Sequence, residues 1–458
     1  MDFSHLNSKV LIPPKRNKDF FSTIKGIIQF IQDPIKSFED SIKDIGDTFI
    51  VGYGKNTHYI TLNPDHVQHV LQENHKNYTK SAKYDHLKLF LGNGLLTSEG
   101  DFWLSQRRTI QPAFYKSKLE AIFNTMKICS NDLINRWNKI SAKNSYIEVS
   151  EEMIKTTLTI AGKSLFSVDL ENTASDVGNA INYSNHFINQ RIRRPYNFPI
   201  EIPLPSHIKF KKDVKKIDQL IFSILKERMK TKENNNDLLS LLIETQNETD
   251  GNSMTEKQLR DELVTLFIAG YETTAVSMSW LIYLLAIHKN YQLKIREEIQ
   301  QVCNSKQPDY QNYHQLKFTK AAIQEALRLY PPAWIIGRKS IKEDALGEYY
   351  LPSDMNVVFL PYFMHRSSQW WEQPDEFYPE RFLSENNAMK HKFSYIPFGS
   401  GPRLCIGMQF AIMEMTLLIA DLVKEFEWNL IENHPKIYPA PLVTLKPQPF
   451  IKIALNRI

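Results

Sequence analysis

The longest apolar pattern in the chain runs from Thr255 to about His288, with hydrophobic residues on every face and few interruptions. Thr255 and Gln258 are spaced as a capping box, so a helix is expected to begin there. It would span about 33 residues, roughly 50 Å at 1.5 Å per residue. A transmembrane span is the rival reading, because Leu263 to Ile287 is mostly apolar. Glu272 argues against it, since it lies near the middle among Thr265, Thr273, Thr274, Ser277 and Ser279. A charged side chain at mid-bilayer costs about 2.5–3.5 kcal/mol on insertion scales. A long helix crossing the protein interior explains the pattern better.

Shorter patterns flank it. Thr48 to Gly52 and His58 to Leu62 predict two strands about a turn at Tyr53 to Asn56. From Asp101 the pattern is predominantly helical, and the segment Thr319 to Leu329 is terminated by Pro331 and Pro332. Another apolar run begins at Met408. The polar segments Thr231 to Asp237 and Asn247 to Ser253 read as solvated loops, neither long enough for a domain linker. The fold expected is mainly α with a small β region (α+β). It forms a single domain over residues 1–458, with 1–45 as an N-terminal extension of the same unit.

Composition narrows the class. The 56 basic and 51 acidic residues leave a net charge of only +5, with no basic run that suggests nucleic acid. Cys129, Cys303 and Cys405 are far apart and odd in number, which excludes a disulfide framework or a C-x-x-C zinc site. A reducing, cytoplasmic location is therefore expected. Met1 to Phe21 holds no apolar run long enough for a signal peptide or anchor helix.

The chemistry concentrates at Phe398 to Gly407, FGSGPRLCIG. Cys405 stands in a glycine-rich loop just before the apolar run at Met408, so the first amides of a helix would stabilise its thiolate. Gly399, Gly401 and Gly407 would let a bulky planar group approach, and Arg403 would place a cation beside the sulfur. The plainer alternative is a buried structural cysteine in a turn. Phe398, Gly399, Gly401, Arg403, Cys405 and Gly407 match, position for position, the haem-binding loop of the cytochromes P-450, and the chain resembles that family from about Gly46 to Leu430.

The resemblance implies one haem b, with Cys405 as the axial ligand of its iron, and O2 as co-substrate. Three further motifs follow the family's order. Ala269 to Thr274 reads AGYETT: Ala269 and Gly270 are small enough for a flat cofactor, and Glu272 with Thr273 resembles the acid–alcohol pair that delivers protons. Without that context, Thr273 would be a mid-helix threonine bonded back to a carbonyl. Trp103 and Arg107, one helical turn apart, match the pair used on a haem propionate, and Arg338 sits where many members place another propionate arginine. Glu325 and Arg328 are three apart on one helix face, where alone they would make a surface bridge. With Arg381 of the PERF stretch they resemble the family's structural triad.

The implied function is a haem-thiolate monooxygenase that inserts one oxygen atom into a C–H bond. No flavin or iron–sulfur domain is appended, so electrons are expected from a ferredoxin and ferredoxin reductase or a similar donor. Arg108, Lys116 and Lys392 are candidates to dock it. The family's pocket positions carry Leu87, Phe90, Phe187, Phe198, Ala333 and Trp334, which suits a hydrophobic substrate such as a fatty acid, carotenoid or terpenoid. Arg191, Arg193 and Arg194 are placed to meet a carboxylate at the pocket mouth. Two rival readings are a peroxide-using or rearranging haem-thiolate enzyme, and a non-catalytic haem sensor or carrier. A complete acid–alcohol pair argues against both.

Overall fold

The computed structural model describes residues 11–16, 19–52, 56–142, 145–170, 174–194, 196–231, 235, 237–246, 254–383 and 390–458. Asp19 opens the first helix, Phe20–Gln32, by accepting the Ser22 N–H at 2.8 Å, and Ser22 returns the bond to the Asp19 N–H. Asp33 ends that helix and caps the next, Pro34–Ile45, where Pro34 fills a first-turn position that needs no donor.

A five-stranded sheet follows, in the order Thr48–Val51, His58–Thr61, Asn356–Phe359, Ile336–Ser340, Tyr78–Lys80. The first two strands pair antiparallel, as their alternation predicts. Of the turn assigned between them, Tyr53 to Lys55 lie outside the described residues, as do 247–253 and part of 231–237 among the polar segments. The remaining strands come from far apart in the chain, and their register sets Lys80 opposite Arg338. A three-stranded sheet and two hairpins extend the β region beyond the sequence expectation.

The long helix forms where its capping box predicts, over Glu256–Ile287. The Thr255 hydroxyl accepts the Gln258 N–H and Gln258 Oε1 accepts the Thr255 N–H. It is apolar on every face because it is buried on nearly every face. The helix Val149–Phe166 lies along it, with Thr157 Oγ1 donating to the Tyr271 carbonyl at 3.0 Å. Trp280 stacks on Tyr330 at 3.7 Å. The apolar run after Cys405 becomes the helix Met408–Glu425, which packs against both the long helix and the helix Lys116–Ser141. One hydrophobic core lies among these helices and a second beneath the five-stranded sheet. Among the described residues no helix is long and apolar enough to cross a membrane.

Candidate functional site

The cysteine loop is closed by its own backbone. The Cys405 N–H donates to the Phe398 carbonyl and the Leu404 N–H to the Gly401 carbonyl, each at 3.0 Å. Gly401 has φ +66°, and a Cβ there would fall 1.7 Å from the Leu71 carbonyl oxygen. Its absent side chain serves close packing on Leu71, not access for a planar group. A Cβ on Gly399 would instead meet open space.

Arg403 does not lie where the sequence reading puts it. Its guanidinium donates to the Ser98 carbonyl at 2.8 Å and to Glu99 Oε2 at 2.7 Å, and covers the Trp103 ring at 3.7 Å. The cation that acts on Cys405 is Arg107, whose Nη1 donates to the Leu404 carbonyl at 2.9 Å. Burial raises the Cys405 thiol pKa, while the Gly407 N–H and Arg107 oppose that rise. Trp103 and Arg107 share the helix Gly100–Ile110 but support different parts of the loop.

Around Arg403 positive charge is in excess. Lys80 and Arg403 are each repelled by Arg338, and the acid acting on both is Glu99. Burial first, then repulsion from the two arginines, pushes the Lys80 pKa well down. Arg403 is lowered to about 10, chiefly by burial, with Arg338 adding to the shift. An anion bound here would relieve that repulsion. The sequence reading missed Lys80 and Glu99. Glu99 lies four residues before Trp103, a spacing that could have flagged it, whereas Lys80 gave no local signal.

On the long helix, burial breaks near the middle at Ala269, which is exposed, and at Gly270 and Thr273, which are half-buried. Thr273 Oγ1 donates to the Ala269 carbonyl at 2.7 Å, the back-bonded geometry weighed above. Glu272 does not share that exposure. Its Oε2 accepts from Asn185 at 2.5 Å, and its Oε1 takes Thr444 Oγ1 and Lys446 Nζ, each at 3.1 Å. Neighbours on a helix diverge by about 100°, so the two residues point in different directions. Lys446 reaches toward solvent with its side chain 22% exposed.

Cys405 is exposed by surface area yet strongly desolvated. Both hold if the sulfur lines a recess within the fold, and the recess takes precedence over an outer-surface reading. Ala269 and Ala333 are exposed and Thr273 is half-buried, each beside at least one buried residue. A sulfur donor, cations in excess of acids and an open face of small residues are what a haem with two propionates needs. The residues present fit that group.

Glu325, Arg328 and Arg381 are deeply buried and joined. Arg328 clasps Glu325 with bonds of 2.7 and 2.9 Å, and Arg381 Nε reaches Glu325 Oε1 at 3.0 Å. The two arginines also hold the carbonyls of His365, Glu372, Gln373, Pro374 and Glu376. This is a buried clasp on an irregular segment, not a surface bridge.

The pocket candidates scatter. Phe90 is sealed in the helical core, and Phe187 is stacked on Phe210 at 4.4 Å. Trp334 is buried with its Nε1 on the Leu442 carbonyl, Leu87 is half-buried, and Phe198 is exposed against Tyr196. Ala333 alone of the six is both exposed and flanked by buried residues. Arg191 and Arg193 are engaged on backbone carbonyls, of Phe198 and of Ile31 and Pro441 respectively.

Comparison with known proteins agrees with the motif reading. The family model described as Cytochrome P450 matches residues 13–453. Cytochrome P450 97B2, chloroplastic, of Glycine max is 31% identical, covering 86% of this chain and 78% of that protein. Protein LUTEIN DEFICIENT 5, chloroplastic, of Arabidopsis thaliana is 29% identical, covering 90% and 72%. Cyclooctat-9-en-7-ol 5-monooxygenase of Streptomyces melanosporofaciens is 27% identical, covering 86% and 84%. The chain belongs to the cytochrome P450 family, the haem-thiolate monooxygenases that use O2 and take electrons from a redox partner.

Proposed function

We propose that residues 1–458 form one monooxygenase unit that holds haem b through Cys405 and hydroxylates a hydrophobic substrate of the terpenoid, carotenoid or fatty-acid type. The observation that carries this is the desolvated yet open cysteine, on a loop braced by Arg107 and Arg403. Arg107, Arg338, Arg403 and Trp103 form the propionate side, with Phe398 and Gly407 completing the loop around the sulfur. When bound, the haem supplies activation of O2.

The chain's own residues then have distinct tasks. Thr273 Oγ1 already donates to Ala269, so it is left as an acceptor for a water or another acidic proton at the open face. Glu272 takes protons on the solvent side, where Lys446 and Thr444 hold its Oε1. Glu272 and Thr273 have separate partners, so water rather than direct contact would carry a proton between them. Ala269 and Ala333 offer apolar surface, which favours an apolar substrate and keeps bulk water out. The names of the lutein-related and cyclooctat-9-en-7-ol-related relatives support that substrate class. Arg108, Lys116 and Lys392 are exposed and suit an acidic donor of the ferredoxin type.

Thr273→Ala is expected to leave haem binding intact while product per NAD(P)H falls about tenfold or more, since the acceptor that holds the proton-carrying water at the open face is lost and placed proton transfer is worth about 10²–10⁴. Hydrogen peroxide should rise in its place. Unchanged coupling with a turned-over substrate would reduce Thr273 to a packing residue. Arg107→Ala should weaken haem retention, because a charge-assisted bond is worth about 1.5–3 kcal/mol. Haem transfer to apomyoglobin at the wild-type rate would remove Arg107 from the propionate set. A spectral-shift screen of terpenoids, carotenoids and fatty acids tests the substrate class, and sugars binding instead would overturn it.

A further inference from the structure

The loop between the helices Tyr84–Leu91 and Gly100–Ile110 is fastened to the long helix by four side chains. Arg260 Nη2 donates to the Phe90 carbonyl at 3.1 Å and Thr265 Oγ1 to the Leu91 carbonyl at 3.5 Å. The Asn93 N–H donates to Asp261 Oδ2 at 2.8 Å and the Leu95 N–H to Glu262 Oε2 at 2.9 Å. The loop backbone lies directly on the helix. A Cβ on Gly92 would fall 2.0 Å from Asp261 Oδ1, and one on Gly94 2.3 Å from Thr265 Oγ1. A few residues on, Ser98 and Glu99 receive Arg403 of the cysteine loop. One short stretch therefore ties the long helix to the cation cluster.

Its four fastenings differ in charge balance. Asp261 is paired with Arg260, which also reaches Asp218 of the helix Pro205–Thr231. Glu262 has no cation beside it among the described residues. Its Oε1 is buried without a hydrogen-bond partner among the described residues. The loop carries no ionisable side chain from Phe90 to Ser98, and the charge that acts on Glu262 is that of Asp261.

We propose that Glu262 is a protonation-dependent positioning residue, which seats the loop 90–99 on the long helix when neutral and loosens it when ionised. Burial raises its pKa to about 8 against a usual 4.5, opposed by the Leu95 N–H and helped by a lesser push from Asp261. The sign follows. A folded-state pKa above the unfolded value means the folded chain keeps the proton longer, so this contribution is full below pH 4.5 and declines up to about pH 8. Above pH 8 the seated loop must hold an unpaired charge, and opening becomes easier. The inference goes beyond the proposed function and does not depend on it.

Hydrogen exchange of the holoenzyme, read on peptides spanning 91–99 and corrected for intrinsic rates, tests it. Protection should fall about tenfold between pH 7 and 9, the change expected of one group titrating near 8. Glu262→Gln keeps an acceptor for Leu95 but cannot ionise, so its profile should be flat. Asp261→Asn removes the neighbouring like charge and should move the wild-type midpoint to lower pH. That shift is one a merely structural role would not produce. A flat wild-type profile, a transition that survives in Glu262→Gln, or an Asp261→Asn midpoint that stays put or rises would each overturn the proposal.

Discussion

Cys405→Ser is expected to abolish the thiolate-type spectrum of the reduced carbonyl complex and to take product formation below detection. A serine hydroxyl stays protonated where a thiol ionises, so the strong axial donor is lost while loop geometry is kept. Neither remaining cysteine can substitute. Cys129 and Cys303 are 2% and 4% exposed and lie in the helical core. Burial pushes the Cys129 thiol up to about 11 and raises Cys303 as well, and nearby carboxylates add to both rises, whereas at Cys405 the Gly407 N–H and Arg107 oppose the rise. Arg107, Arg338 and Arg403 remain in the variant, so part of the haem should still be retained, with an altered spectrum. A serine variant that kept the thiolate spectrum would transfer ligation to another cysteine and undo the site assignment.

What could be read from the residues was whatever depends on near neighbours in the chain. The capping box at Thr255 and Gln258 is a contact between residues three apart, and it formed as expected. The alternation at Thr48 to Gly52 and His58 to Leu62 is likewise local, and the pair formed. The spacing around Cys405 identified the family, because a loop motif is a short-range pattern. Other features depend on contacts across the fold. Arg403 finds Glu99, a partner 304 residues away, and no pattern near Cys405 announces that. Glu272 and Thr273 are adjacent, but which side of a helix meets a recess depends on what packs there. Asn185, Thr444 and Lys446 claim Glu272 from three distant segments. Phe90 and Phe187 were placed in the pocket by position along the chain, and packing took both into the core. An aromatic residue near a recess is as readily buried beside it as exposed within it.

Glu325→Ala should cost about 3–5 kcal/mol, because it leaves buried guanidinium groups without their carboxylate. That is a large part of a typical domain's margin of about 5–15 kcal/mol. Arg328 and Glu325 have fully buried side chains and Arg381 is 2% exposed, so water cannot step in for the missing oxygens. The loss should spread along the chain, since the Tyr378 N–H also donates to Glu325 and the two arginines hold five carbonyls between His365 and Glu376. Glu325→Gln should lose less, because it keeps an acceptor while removing the charge. The exposed bridge between Lys36 and Asp40 offers the contrast, with side chains 57% and 34% exposed. Breaking it should leave the denaturation midpoint where it is, since such pairs are screened by solvent. Denaturant midpoints of the haem-loaded proteins compare the three. If Glu325→Ala unfolds at the wild-type denaturant concentration, the clasp does not hold the segment 365–381, and its burial has no bearing on stability.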